Sequence, residues 1–475
     1  MGNSLSMRDA CKLLHDTTLA LARAEQQGIR VDTQYCHQEK ERLTEKIMSL
    51  EEELETTKFV QHWRHVYGAK FNLHSGWQLS RFLYNVKKLH PPKFTSSGKM
   101  GATDDETLLQ LNIPEVNSLL QIRKLMKVRD TYLDAFLREQ VNGILRPMFN
   151  LNTVRTYRSS SSNPNFQNIP KRDKESMQIC RRALIPRTGH QFVEFDYAGA
   201  EVRTAVCYHQ DPTMIEYIND PKSDMHGDMA KELFCLQYLN RELPSHNILR
   251  NAAKNGFVFP EFYGDYYFNC AVNLACRWGG LPSDVWSKSQ GISMPRGTLG
   301  NHLISCGIKS LGEFTEHVRA VEEDFWARRF PIYRQWKENW WKQYQRRGYF
   351  DMLTGFRCSG VMTKNEVLNS PIQGAAAHCL FWTFTEVDKI MQTEGWKSRL
   401  VGQIHDAMLM DVFPGELEHV VSTVKRIGCE ELPKVWPWII VPLDMDVSFA
   451  DVDASWEKVH TYSTPKSEDL DELIP

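Results

Sequence analysis

Two aspartates far apart in the chain each end an apolar run. Asp196 lies in the segment Gln191 to Tyr197 (QFVEFDY), and Asp406 follows Leu400 to His405 (LVGQIH). Both runs read as short buried strands that finish in a carboxylate. Two carboxylates brought together at strand ends make a site for hard divalent cations, which prefer oxygen ligands. A pair of such ions can activate an attacking oxygen and stabilise a leaving one in phosphoryl transfer. Between the aspartates lies a basic helical segment, Arg250 to Gly264 (RNAAKNGFVFPEFYG). Arg250 and Lys254 are one helical turn apart and share a face. Cations in that arrangement suit a substrate with several phosphates.

These segments carry a family resemblance. Asp196 to Arg203 (DYAGAEVR) resembles motif A of family A DNA polymerases, Arg250 to Gly264 resembles motif B, and Gln403 to Asp406 (QIHD) resembles motif C. Arg158 to Pro170 looks like the family's template-primer segment, and Asn369 to Ala375 looks like its minor-groove segment. Each is weak alone. Their order along the chain, from about Thr153 to Asp411, makes the combination specific, and weaker similarity runs from about Leu19 to His460.

The resemblance implies attack by a primer 3′-hydroxyl on the α-phosphate of a deoxynucleoside triphosphate. It implies two Mg²⁺ ions, with Mn²⁺ as a substitute, held by Asp196, Asp406 and the Tyr197 backbone carbonyl. Arg250 and Lys254 would meet the β- and γ-phosphates, with Lys254 also placed to protonate the leaving pyrophosphate. His226 resembles a phosphate-contacting histidine, and a plain structural role is its alternative. Phe259 and Tyr263 would flank the incoming base and sugar. The interval from Lys254 to Phe259 is one residue longer than usual in the family. Either a helix bulge absorbs the extra residue, or Phe257 takes the place of Phe259. Glu201 resembles the glutamate that excludes a ribose 2′-hydroxyl. Arg158 and Gln373 match residues that hydrogen-bond minor-groove acceptors, contacts that test pair shape without reading sequence. His405 would hold the primer terminus, and Asn168 and Asn369 would support it. Ala407 stands where the family usually has a glutamate, which should weaken metal binding.

Rival readings remain open. A single-subunit RNA polymerase shares parts of the motifs, but Glu201 argues against ribonucleotides. A two-metal nuclease would not need Arg250, Lys254 and the aromatics. A degenerate polymerase that only binds nucleic acid is the third, motivated by Ala407. The expected reading is a phage-like polymerase portion, without intrinsic 3′→5′ exonuclease because too few residues precede the similarity for such a domain.

Composition is compatible with this. The 475 residues are 42% hydrophobic and 24% charged, with a formal net charge of -2. Overall neutrality is mild counter-evidence for a nucleic-acid binder, but a local basic cleft can coexist with acidic outer helices. The eleven cysteines show no metal-type pairing and read as reduced thiols of a cytoplasmic protein. No run is apolar and long enough to span a bilayer, and the N-terminus lacks the core of a signal peptide.

The expected fold class is α+β, a right-hand polymerase with an antiparallel palm sheet, helical thumb and helical fingers. Residues 1–150 would form an N-terminal helix and thumb, with one long helix from about Thr33 to His62. Residues 151–215 and 351–460 would form the palm, and 216–350 the fingers. A stretch near 265–310 has no evident counterpart in the family. It either packs on its own tryptophans or steers a single-stranded template through Trp278, Trp286 and Arg296. Residues 461–475 form an acidic tail, read as disordered and as a candidate docking peptide for a replication partner.

Overall fold

The computed structural model describes residues 4–95, 97–111, 113–171, 173–220, 222–281, 284–404 and 406–462. Helix α1 (Met7–Gln27) is followed by α2 (Thr33–Glu55). The strand β1 (Gln191–Tyr197) leads into α3 (Ala200–His209). Helices α4 (Pro244–Ala253) and α5 (Phe259–Tyr263) come next, then α6 (Pro331–Arg347) and α7 (Lys364–Glu394). Strands β2 (Arg399–Ile404), β3 (Ala407–Val412), β4 (Met445–Phe449) and β5 (His460–Tyr462) complete the central sheet.

The sheet has the order β2-β3-β1-β4-β5, and every pairing is antiparallel. All six residues of β3 are buried, and β1 is buried except at Asp196. Both faces of these strands are covered, so they read as unbroken apolar runs rather than as alternating ones. Helix α7 is buried along most of its 31 residues, so it lacks a polar stripe. Helix α1 docks on it through Arg23, whose Nε and Nη2 donate to Asp388 Oδ2 at 2.9 and 2.6 Å. Pro371 lies inside α7 and has no N–H for the Val367 carbonyl. That carbonyl instead accepts Trp340 Nε1 of α6 at 3.1 Å, so the helix runs through the proline with its freed acceptor paired.

One sequence expectation is corrected. The helix expected from Thr33 to His62 breaks at Thr56-Thr57, and a second helix spans Lys58–Tyr67. The hydroxyls of Thr56 and Thr57 donate to the Glu53 and Leu54 carbonyls at 2.7 Å each. Thr57 also accepts from Val60 N at 3.3 Å, so the same residue ends one helix and caps the next. In the stretch near 265–310, Trp286 is only 5% exposed and packs edge-on against Phe314 at 5.7 Å. It serves the local core and offers no stacking face. Arg296 is exposed. The tail expectation for Ser463 to Pro475 lies outside the described residues.

One buried carboxylate joins several of these elements. Asp211 is fully buried just after α3. Its Oδ2 accepts from the Ile332 and Tyr333 backbone N–H groups at 3.0 and 3.1 Å, and Oδ1 from Thr213 N at 3.1 Å. It therefore caps α6 and the helix Pro212–Asn219 together. Asp211→Ala strands three helix-start N–H groups, and we expect a loss of about 3 kcal/mol in urea unfolding. A loss below about 1 kcal/mol would show that water satisfies them.

Candidate active site

The two aspartates meet at neighbouring strand ends. Ala407 pairs with Asp196 in the β3–β1 register, and Tyr197 N donates to the Asp406 carbonyl at 3.2 Å. The strands β2 and β3 form a hairpin in which Ile404 pairs with Ala407, which leaves Asp406 in the turn. On the other side of Asp196, β4 places Asp446 in register. Tyr197 is anchored from below: its buried hydroxyl donates to the Gly428 carbonyl at 3.0 Å and lies 2.9 Å from Thr383 Oγ1. The next turn requires Gly199 at φ 61°, a left-handed conformation that starts α3 and brings Glu201 into its first turn.

Cations face both aspartates. Arg158 Nη2 donates to Asp406 Oδ1 at 3.2 Å, and its Nη1 lies 3.5 Å from Glu201 Oε1. Lys171 Nζ lies 3.2 Å from Asp196 Oδ2 and 3.7 Å from Glu194 Oε1. Burial pushes the Glu201 carboxyl up to about 7; the Arg158 charge opposes that shift and the Asp406 charge adds to it.

The segment carrying Arg158 is held against β2. Gln167 Nε2 donates to Ser159 Oγ and Gln403 Oε1, both at 2.7 Å. Phe166 stacks on Trp456 at 5.4 Å. A Cβ on Gly402 would come within 2.8 Å of the Phe166 ring, so only glycine permits this approach. Asn168 is exposed at the end of the same segment, and its carbonyl accepts Tyr132 Oη at 2.6 Å.

A second cluster forms around the basic segment. The Phe259 N–H donates to the Lys254 carbonyl, five residues back, so a π turn over Lys254–Val258 joins α4 to α5. The extra residue is absorbed there. Its consequence is a division of the two phenylalanines. Phe257 is fully buried against Phe325 at 5.4 Å. Phe259 instead shares a face with Tyr263 at 6.5 Å and meets the His226 ring edge-on at 5.7 Å. Lys254 Nζ lies 5.5 Å from the Phe259 ring centre. His226 is pushed down to about 4, mainly by burial and further by Lys254 and Arg250, so it is neutral at pH 7.

Arg250 is gripped by Asp224, with Nε–Oδ2 at 2.7 Å and Nη2–Oδ1 at 2.8 Å. Asp224 also caps the helix Met225–Leu233 through Gly227 N at 3.0 Å. Helix α7 holds the end of this cluster, because Asn369 Nδ2 donates to the Tyr263 carbonyl at 3.0 Å. Gln373 lies one turn further along α7 and is half-buried. His405 lies outside the described residues.

The structure thus gathers Asp196, Tyr197, Asp406, Glu201 and Arg158 in one place, and Arg250, Lys254, His226, Phe259 and Tyr263 in another. Sequence reasoning missed Lys171 and Asp224. Asp224 sits two residues before His226, but a carboxylate's partner 26 residues away has no local signature.

An antiparallel sheet with two strand-end carboxylates, flanked by helical units that present a basic aromatic face, is an α+β right-hand polymerase fold. A family model described as DNA polymerase family A matches residues 33–278 and 317–458, and the chain belongs to that family. The residues left unmatched between the two segments are 279–316, which overlap the stretch near 265–310.

DNA polymerase I of Synechocystis sp. is 26% identical over 444 residues, covering 88% of this chain and 40% of that protein. The thermostable DNA polymerase I of Thermus thermophilus is 27% identical over 452 residues, covering 91% and 46% respectively. The chain therefore spans less than half the length of these relatives. Among solved structures, the POL domain of Pol1 from M. smegmatis, in complex with DNA primer-template and dNTP, superposes with a TM-score of 0.70. It is 24% identical and covers 93% of this chain and 70% of that one. Among the described residues, no helix is long and apolar enough to cross a membrane.

Proposed function

We propose that this chain is a template-dependent DNA polymerase that adds deoxynucleotides to a primer 3′ end by two-metal phosphoryl transfer. The observation that carries the reading is the placement of Asp196 and Asp406 at adjacent strand ends, tied by the Tyr197 N–H to the Asp406 carbonyl. The relatives named DNA polymerase I, and the solved complex with primer-template and dNTP, support the same substrates. Residues 151–215 and 351–460 would act as palm, 216–350 as fingers and the helices before 150 as thumb.

The donor set fits Mg²⁺. It offers hard oxygens only, and both carboxylates already attract cationic side chains. Among the described residues, no group of three or more His, Cys, Asp or Glu is arranged to hold a metal unaided. Mg²⁺ tolerates this, because it commonly takes one or two carboxylates and completes its shell with water and substrate phosphates. When bound, the ions would lower the cost of the charge that builds on the attacking and leaving oxygens. Asp196, Asp406 and the Tyr197 carbonyl would hold them.

The remaining work falls to positioning and electrostatics. Lys254 would meet the triphosphate and hold a proton for the leaving pyrophosphate. Arg250 is kept in one orientation by Asp224 and would support the same phosphates. Neutral His226 would donate a hydrogen bond to a phosphate oxygen without adding charge. Phe259 and Tyr263 would bracket base and sugar. Glu201, held by Arg158, would fill the space a 2′-hydroxyl needs. Arg158, Asn168, Asn369, Gln373 and His405 would contact the primer-template.

Primer extension on a defined template, with deoxy-, ribo- and dideoxynucleotides in turn, tests the reading. Wild type should extend only with template and only efficiently with deoxynucleotides. The same mixture without nucleotides should leave a mismatched primer its original length. Glu201→Ala should raise ribonucleotide use by about 10- to 100-fold, since a buried steric and polar clash of this size is worth a few kcal/mol. Phe259→Tyr should improve dideoxynucleotide use, while Phe257→Tyr should not. Equal ribonucleotide use by wild type and Glu201→Ala would remove Glu201 from the sugar site. The degenerate binding-module reading rests on Ala407. It wins if wild type is inert at every metal concentration while Ala407→Glu extends primers.

A further inference from the structure

Lys171 stands in the loop that follows the primer segment, with its side chain 62% exposed. Its ammonium bridges Asp196 Oδ2 at 3.2 Å and Glu194 Oε1 at 3.7 Å. Glu194 has its own partners. Trp456 Nε1 donates to Glu194 Oε2 at 3.1 Å, and Arg181 Nη1 lies 3.5 Å from the same oxygen. Arg181 in turn lies 4.0 Å over the Trp456 ring. Glu194 is thus paired without Lys171, and the fold does not need an exposed lysine at that place. Asp196 is different. Its in-register neighbours are Ala407, which carries no charge, and Asp446, which carries a like one. Among the described residues, the cation at Asp196 is Lys171, as the cation at Asp406 is Arg158. The formal charges of these four groups cancel.

We propose that Lys171 sets the metal affinity of the site, its ammonium competing with a divalent cation for the Asp196 carboxylate. This rests on the two-metal reading above. A unit positive charge within a few ångströms of a doubly charged ion is repelled strongly in a dry site and modestly in a wet one. Lys171 is mostly exposed and can swing into water, so its influence is a tuning effect rather than a block. Ala407 adds no carboxylate beside Asp196, where β4 places Asp446 on the other side. With Lys171 in place the site needs more metal than its carboxylates alone would.

Mn²⁺ binding to the full chain, followed by electron paramagnetic resonance without DNA or nucleotide, tests this independently of turnover. Lys171→Met keeps most of the side-chain length and removes the charge. It should tighten Mn²⁺ binding by about 3- to 10-fold at low salt, and the gain should shrink as salt rises. Lys171→Arg should stay within about twofold of wild type, since it keeps the charge. The Mg²⁺ concentration for half-maximal extension should fall in Lys171→Met in parallel. In an Asp196→Ala background, Lys171→Met should give no tightening. If Asp196→Ala weakens Mn²⁺ binding but Lys171→Met leaves it unchanged, Lys171 is a bystander and the inference is overturned while the polymerase reading stands. If neither Asp196→Ala nor Asp406→Ala alters Mn²⁺ binding, the two-metal reading itself falls.

Discussion

Asp196→Ala and Asp406→Ala should each lower single-turnover primer extension by about 10³-fold or more, because in the proposed mechanism each would remove an oxygen ligand at the reacting phosphate. The structure explains why the loss should be catalytic rather than structural. Both side chains are partly exposed at strand ends, and their backbones keep the Tyr197 N–Asp406 O bond that joins the strands. Folding should therefore survive, with an unfolding midpoint close to wild type. The two variants should differ in one respect. Among the described residues, Arg158 without Asp406 keeps Glu201 as its carboxylate partner, whereas Lys171 without Asp196 keeps Glu194. Primer-template affinity should stay within a few-fold in both. Extension within tenfold of wild type by either variant would remove that aspartate from the metal site.

Lys254→Ala should reduce extension by about 10²- to 10⁴-fold, the range expected for the proposed role in binding phosphate and transferring a proton. The π turn makes this residue more than a surface lysine. Its carbonyl accepts the Phe259 N–H, and its side chain lies beside the Phe259 ring and the neutral His226. Arg250, one turn earlier, is already committed to Asp224, which leaves Lys254 as the more available cation on that face. The loss should appear in both the nucleotide KM and kcat, with primer-template binding retained. Lys254→Arg should restore phosphate binding better than proton transfer, so its kcat should recover less than its KM. A change in KM alone would leave Lys254 as a binding residue and pass the proton role to another group.

The candidate site was legible in the sequence because it depends on residue types at short spacings. A carboxylate after an apolar run, two cations one helical turn apart and a polar turn ending in Asp406 are local patterns. They survive in a single chain because strands and helices impose fixed periods on the residues that must face one way. The family resemblance rests on those same patterns in their order, and the α+β class is what that resemblance implies. The extra residue between Lys254 and Phe259 was visible too, but not how the helix absorbs it. A π turn and a shifted register have the same local sequence, and only burial decides between them: Phe257 fills a pocket against Phe325, which leaves Phe259 to face His226.

Tertiary structure alone decided the partners. The meeting of Asp196 with Asp406 needs strands 210 residues apart to align, and the pairing of Ala407 and Asp446 with Asp196 follows from sheet register. Asp224 on Arg250, Asp211 across two helix starts and Lys171 on Asp196 are contacts between segments whose own patterns are ordinary. Long-range electrostatic pairing leaves no periodic trace, because one charge can find its complement wherever the fold brings an opposite charge within reach. The sequence by itself therefore determined which atoms could do the chemistry. The register of the sheet and its packing against α7 determined which of them stand together and which charges surround them.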